Sequence, residues 1–259
     1  MLLAFDLDNT VVTRDRVLPP EIQRAIFAAR TAGHAVTVLT GRPPASALEF
    51  VERLEVAPGP YAVNHGALVY GRGGEVLKHR RLQGDEVRAA LEAATAGQAC
   101  SFAVIEGEVL HVNDARDPRW AWAHTNNREV RVADLDAIHV ADKIVIASED
   151  AGPRMDAAVR TQLTLTSYLW DDGFLEFTAP DADKGAALAL IAAELGVPRD
   201  DVVAFGDGMN DVSMLSWAGR GVSVGPYAPD AVRDVADEHI DAPESLGVAG
   251  WLERMLHDH

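Results

Sequence analysis

Four short segments of this chain concentrate residue types able to carry out polar chemistry, and each follows an apolar run. In Phe5-Asp6-Leu7-Asp8-Asn9-Thr10, two carboxylates stand two residues apart. Brought together over a strand end, they can divide labour, one ionised as a nucleophile while the other delivers a proton. Taken alone, the pair also suits a polar strand terminus or a helix N-cap. Leu39-Thr40-Gly41-Arg42 places a hydroxyl and a small residue before a helix start. Free N–H groups and a partial positive charge there suit phosphate, although an N-cap threonine followed by a turn is the plainer explanation. Asp183-Lys184-Gly185 opens another helix. A cation at a helix start is unfavourable by a few tenths to about 1 kcal/mol. Neutralising a phosphoryl group would account for Lys184, as would simple solvation at the surface. The most specific segment is Phe205-Gly206-Asp207-Gly208-Met209-Asn210-Asp211. Acids just past a buried run, flanked by glycines, suit a hard divalent cation held by oxygen.

The elements that must position these segments can be read from periodicity. Residues 2–5 (LLAF), 35–39 (AVTVL), 202–205 (VVAF) and 221–224 (GVSV) are apolar runs of strand length. Between them lie helical stripes: Ile22, Ala25, Ile26 and Ala29, ended by Gly33; Leu48, Val51 and Leu54, opened by Pro43 and Pro44; and Ala187, Leu188, Ile191 and Leu195, capped by Gly196. A helix is also expected around Met214 and Leu215. Strands apolar on both faces, alternating with helices, predict an α/β fold: a doubly wound, Rossmann-like parallel sheet. In such sheets the loops leaving the strand C-termini converge on one crevice, so four distant segments can share one site.

The middle of the chain follows another grammar. Residues 101–105, 108–112, 143–147, 166–170 and 174–178 read as strands with few helices between them. One expected helix carries Val87, Ala90, Leu91 and Ala94, and another carries Met155, Ala158 and Val159. This predicts an α+β unit over 80–179 inserted into a core formed by 1–79 and 180–259.

Composition narrows the function classes. The chain has 259 residues, 48% of them hydrophobic, which is enough for a sizeable core. Its net charge of -17, from 40 acidic and 23 basic residues, argues against nucleic acid or an anionic membrane as partner. It also means that an anionic substrate needs local positive features. The single cysteine, Cys100, allows no internal disulfide and points to a reducing, cytoplasmic setting. The N-terminus lacks the basic and apolar regions of a signal peptide, and no apolar run approaches the roughly 20 residues needed to span a bilayer.

In their order, the four segments resemble the motifs of the haloacid dehalogenase superfamily: DxDxT, an apolar run ending in Thr or Ser, a Lys, and GDxxND. Lys184-Gly185-Ala186-Ala187-Leu188, Met214-Leu215 and Ala218-Gly219 are similar to its Cof-type branch, whose subfamily IIB cap lies between the second and third motifs. The resemblance covers 1–79 and 180–259, while the cap is matched only by position, size and strand-rich character. Two positions depart from the family pattern. Asn9 stands where a glycine is usual, and asparagine tolerates a left-handed backbone best among the other residues. His65, in Asn64-His65-Gly66-Ala67, stands where the family has Asn, so neither Asn64 nor His65 is placed in the catalytic set.

The resemblance implies a magnesium-dependent phosphatase acting on a small phosphate monoester, with no oligomer required. Asp6 would be the nucleophile and Asp8 the acid/base. Thr40, Gly41, Arg42, Lys184 and Asn210 would bind the phosphoryl group, with Thr40 and Lys184 also counted as catalytic. Asp6, Asp8 (through its backbone oxygen), Asp207 and Asp211 would form the metal site, Asp211 by orienting a bound water. Two alternatives are carried: a sugar phosphomutase, and a non-catalytic phospho-acceptor or binding module, which would need neither the insertion nor Lys184. Trp120, Trp122, His124, Asn126, Arg128, Trp170 and Asp172 are candidate cap residues lining the substrate, with tryptophans in the cap core as the competing reading.

Overall fold

Five short strands pair in parallel in the order Glu238–Ile240, Arg220–Val224, Val202–Gly206, Leu2–Phe5 and Ala35–Val38. The structure, a computed structural model, describes residues 1–95, 100–125, 128–147, 165–170 and 173–257. Both faces of the strand Leu2–Phe5 are buried, as its four apolar residues require. Leu3 and Phe5 pack with the helices Pro20–Thr31, Pro44–Arg53 and Gly247–His257. Leu2 and Ala4 pack with Lys184–Leu195 and Val212–Trp217. The sheet is therefore doubly wound, with helices on each side.

One stripe falls on a different register from the one expected. In Pro44–Arg53 the buried residues are Ala47, Phe50 and Val51, with Leu54 at the C-cap, while Leu48 is 45% exposed. The i, i+3, i+4, i+7 face begins one residue earlier, because Phe50 contributes more apolar area than Leu48. An antiparallel three-stranded ribbon, Tyr61–Val63, Leu68–Tyr70 and Val76–His79, completes this part of the fold and bridges to the parallel sheet at Leu39 and Ala62. Its strands are too short for a periodic signal.

Contacts divide the chain into one unit of Met1–His79 with Asp183–His259 and a second of Arg80–Ala182. The second is α+β. Its six-stranded sheet runs Thr166–Leu169, Phe174–Thr178, Lys143–Ala147, Ser101–Glu106, Val109–Val112 and Glu129–Val132, antiparallel except for the last pair. The helix Gly84–Thr95 lays Val87, Ala90, Leu91 and Ala94 on one face, against Val104, Ile144 and Phe177. Trp120 and Ala123 cover the other face with Ala103, Ile105 and Val145. The helix expected around Met155, Ala158 and Val159 lies outside the described residues. No described helix is long and apolar enough to cross a membrane.

Candidate active site

The parallel strands Leu2–Phe5 and Val202–Gly206 lie side by side in register, Phe5 opposite Phe205. From the first strand the sheet grows to Ala35–Val38 on one side and to Val202–Gly206 on the other. That reversal of direction is the switch point at which doubly wound sheets open a crevice. Asp6 leaves its strand with its N–H donated to the Phe205 carbonyl at 2.9 Å. Below it the rings of Phe5 and Phe205 stack with centroids 4.8 Å apart, and Trp251 meets Phe205 edge-on at 5.0 Å. The strand ends thus stand on a rigid apolar floor.

Asp6, Asp207 and Asp211 each offer a carboxylate oxygen, and these oxygens lie within 4.8 Å of one another. Among them sits Lys184, wholly buried, whose Nζ donates to Asp6 Oδ1 at 2.6 Å and to Asp211 Oδ1 at 2.5 Å. Asp183 caps the helix behind it by accepting the Ala186 N–H at 2.7 Å. Lys184 is therefore no solvated surface residue. Asp211 Oδ2 accepts from the N–H groups of Asp207 and Gly208 at 3.0 and 2.9 Å, folding the loop back over its own carboxylate. That closure requires Gly206, where a Cβ would stand 2.5 Å from Asp211 Cβ. Asp211 uses both oxygens on protein donors, so its observed work is to seat Lys184 and the loop. Thr10, the last residue of the first motif, donates to Asp207 Oδ1 at 3.3 Å. Its place in DxDxT was the available signal for it.

The electrostatics of this group are unbalanced. Burial pushes the Asp6 pKa well up; Lys184 opposes this, while Asp211, Asp207 and Asp8 add to it. Asp207 is pushed up to about 7, by burial first and then by Asp211, against the pull of Lys184. For Lys184, burial disfavours the ammonium, but Asp211 and Asp6 more than offset it and hold it charged. Three carboxylates facing one ammonium in a desolvated space leave an excess of negative charge. The donor set, hard oxygens with uncompensated charge, fits a divalent cation.

Arg42 pairs with Asp8. Its guanidinium clamps Asp8, with Nε to Oδ2 at 2.8 Å and Nη2 to Oδ1 at 2.5 Å, and lies 4.4 Å from the centroid of the Phe50 ring. The Asp8 carboxylate matches its bidentate fork, as a phosphate would. The Asp8 carboxylate is not one of the three clustered carboxylates, and the ligand atom expected of Asp8 is its backbone oxygen. Thr40 is fully buried and accepts the Arg42 N–H at 3.1 Å, which leaves its hydroxyl proton to donate. It caps no helix, since Pro43 precedes Pro44–Arg53. Asn9 takes the left-handed backbone expected of it, at φ 56°.

The structure also brings Asn64 and His65, left out on sequence grounds, beside this loop. The His65 Nδ1 lies 3.1 Å from Asn210 Nδ2, and the ring covers Gly41. In the second unit Trp120 is core, packed against Phe174 with centroids 6.0 Å apart. Arg128 lies over Trp122 and donates to the Gly107 carbonyl at 2.8 Å, and Trp170 donates to Glu176 at 3.3 Å. Asn126, Asp172 and the His124 side chain lie outside what the structure describes.

A parallel sheet with acids at its switch point, a buried lysine and an inserted α+β unit defines a class of hydrolase. A family model for haloacid dehalogenase-like hydrolases matches residues 3–252, and the chain belongs to that family. It is 27% identical over 267 residues to the 5-amino-6-(5-phospho-D-ribitylamino)uracil phosphatase of Bacillus subtilis, covering 97% of this chain and 96% of that one. It is 26% identical over 243 residues to the HMP-PP phosphatase of Cronobacter sakazakii, covering 90% and 86%. Among solved structures, a subclass IIB sugar phosphatase of the superfamily superposes with a TM-score of 0.82 at 22% identity, covering 98% of both chains, and so shares the fold with its cap. The chain is accordingly a phosphoric monoester hydrolase, not a binding module.

Proposed function

We propose that the protein is a magnesium-dependent phosphatase that hydrolyses a small phosphate monoester, a sugar phosphate or similar metabolite, through a phosphorylated Asp6. The carrying observation is the meeting of Asp6 with Lys184, Asp207 and Asp211 at the switch point. Asp6 attacks phosphorus in line, and the bond from phosphorus to the ester oxygen breaks. Asp8 gives its proton to that leaving oxygen, then takes one from the water that hydrolyses the phosphoaspartate. For this an Asp8 oxygen must be free of Arg42, whose clamp otherwise fixes the carboxylate's orientation. Thr40 donates its hydroxyl proton to the transferring group, the Gly41 and Asn210 region receives its remaining oxygens, and Lys184 holds positive charge beside Asp6. Asp6 and Asp207, with the Asp8 backbone oxygen, would hold a magnesium ion, which supplies the charge that lets a dianion approach this acidic group. The inserted unit, expected over 80–179, sets which ester is accepted, and the reaction is placed in the cytoplasm.

A panel of phosphate esters with purified protein and magnesium tests the reading. Turnover concentrated on small phosphorylated sugars or comparable metabolites is expected, and no hydrolysis of any ester would overturn it. Asp8→Asn is expected to slow hydrolysis of alkyl phosphates by roughly 10²-fold or more, the usual worth of acid–base catalysis. A first step equally slowed with a good aryl leaving group would show that Asp8 mainly organises the site.

A further inference from the structure

We propose that His65 is a positioning residue of the phosphate site, its imidazole holding the Asn210 carboxamide while its turn braces the 40–42 loop. The inference rests on the reading that Asn210 and the Thr40-Gly41 loop receive the phosphoryl group.

The turn Asn64-His65-Gly66 runs through three successive positive φ values, 49°, 57° and 87°, and all three residues are buried. Two non-glycine residues in that region carry a backbone cost that persists only where the surroundings impose it. What imposes it is visible. The Asn64 N–H donates to the Arg42 carbonyl at 2.9 Å and the His65 N–H to the Thr40 carbonyl at 3.0 Å, so the turn is laced to the phosphate loop at two points. On its other side the turn touches the Lys184 helix: a Cβ on Gly66 would fall 2.5 Å from the Asp183 carbonyl oxygen and 2.9 Å from Ala187 Cβ. The left-handed path thus lets one short segment contact both motif segments.

The side chain adds a third contact. His65 is 2% exposed, and its ring fills the place a side chain at Gly41 would need, with a Cβ there 2.3 Å from Cε1. Its Nδ1 accepts from Asn210 Nδ2 at 3.1 Å, which puts the ring proton on Nε2. The Asn210 Oδ1 lies in the space a side chain at Gly208 would take, 2.7 Å from where its Cβ would stand. Held through its Nδ2 by the ring, the carboxamide has its orientation set before substrate arrives, so less freedom is lost when an anion binds. A structural filler would need shape only. Pairing a ring nitrogen with a phosphate-binding amide, while excluding any side chain from position 41, points to orientation.

The test is a double-mutant cycle on the magnesium-loaded protein, with p-nitrophenyl phosphate as substrate and inorganic phosphate as inhibitor. His65→Gly removes the ring at a residue whose φ glycine accepts freely, and His65→Asn keeps a short acceptor that also tolerates this backbone. His65→Gly is expected to raise KM and the inhibition constant of phosphate about tenfold, the worth of roughly one hydrogen bond, with kcat within a few-fold. His65→Asn is expected to recover most of that loss, and the double variant with Asn210→Ala to be no worse than Asn210→Ala alone. Additive losses, or an unchanged phosphate constant in His65→Gly beside a weakened one in Asn210→Ala, would overturn the proposal and leave the phosphatase reading standing. If Asn210→Ala itself leaves phosphate binding unchanged, its role on phosphate is wrong and the His65 proposal falls with it. Should His65→Gly not fold, the same cycle with His65→Ala, which also removes the ring, decides on the same criteria.

Discussion

Asp6→Asn is expected to lower turnover of an aryl phosphate by roughly 10⁴-fold or more, on the scale of losing a nucleophile from a covalent mechanism. The side chain keeps its shape and one oxygen but loses the charge and the second oxygen needed to attack phosphorus. The fold is expected to survive. The introduced amide can still accept from Lys184, and the 2.5 Å bond from Lys184 to Asp211 is untouched. Circular dichroism and a thermal midpoint should therefore resemble wild type while steady-state hydrolysis disappears. Robust hydrolysis by a preparation shown by mass spectrometry to be free of deamidated protein would remove Asp6 from the nucleophile's position.

Chelation of divalent cations is expected to have a comparable effect. Asp207 follows the buried strand Val202–Gly206, and its carboxylate and that of Asp6 are both pushed up by burial and by their acidic neighbours. Bringing a phosphate dianion to this group without a cation would add like charge to like charge in a desolvated space. Hydrolysis should vanish with a chelator and return with magnesium. Magnesium holds six oxygens at about 2.0–2.1 Å, whereas calcium takes six to eight at about 2.3–2.6 Å, so calcium is expected to bind and support little turnover. Asp207→Asn should raise the magnesium concentration needed for half-maximal activity at least tenfold without unfolding the protein. Full activity after chelation, or an unchanged magnesium requirement in Asp207→Asn, would rule this metal site out.

Much of this molecule could be read before any coordinates. The strands at 2–5 and 202–205 are short and wholly apolar, and 221–224 is broken only by Ser223, because a parallel sheet covered on both faces leaves little room for polar alternation. The motif segments were legible for a related reason: buried strands make acids at their ends conspicuous. The ribbon 61–79 was not legible, since three-residue strands carry no period and their pairing is non-local.

Residue types and local spacing determined which groups are available for chemistry, with Asp6, Thr40 and Asp207 just past strands and Lys184 at a helix start. What only tertiary structure decided is which partner each group takes. Arg42 and Asp8 are 34 positions apart and Asn210 and His65 are 145 apart, and no local rule connects either pair. Arg42 clamps Asp8 because a carboxylate lies within its reach once the strand ends are side by side. His65, marked in the sequence only as a departure from the family pattern, meets Asn210 because a left-handed turn laced to Thr40 and Arg42 carries its ring over Gly41. Hydrogen bonds and ion pairs act over a few ångströms in space, and folding, not sequence separation, sets those distances.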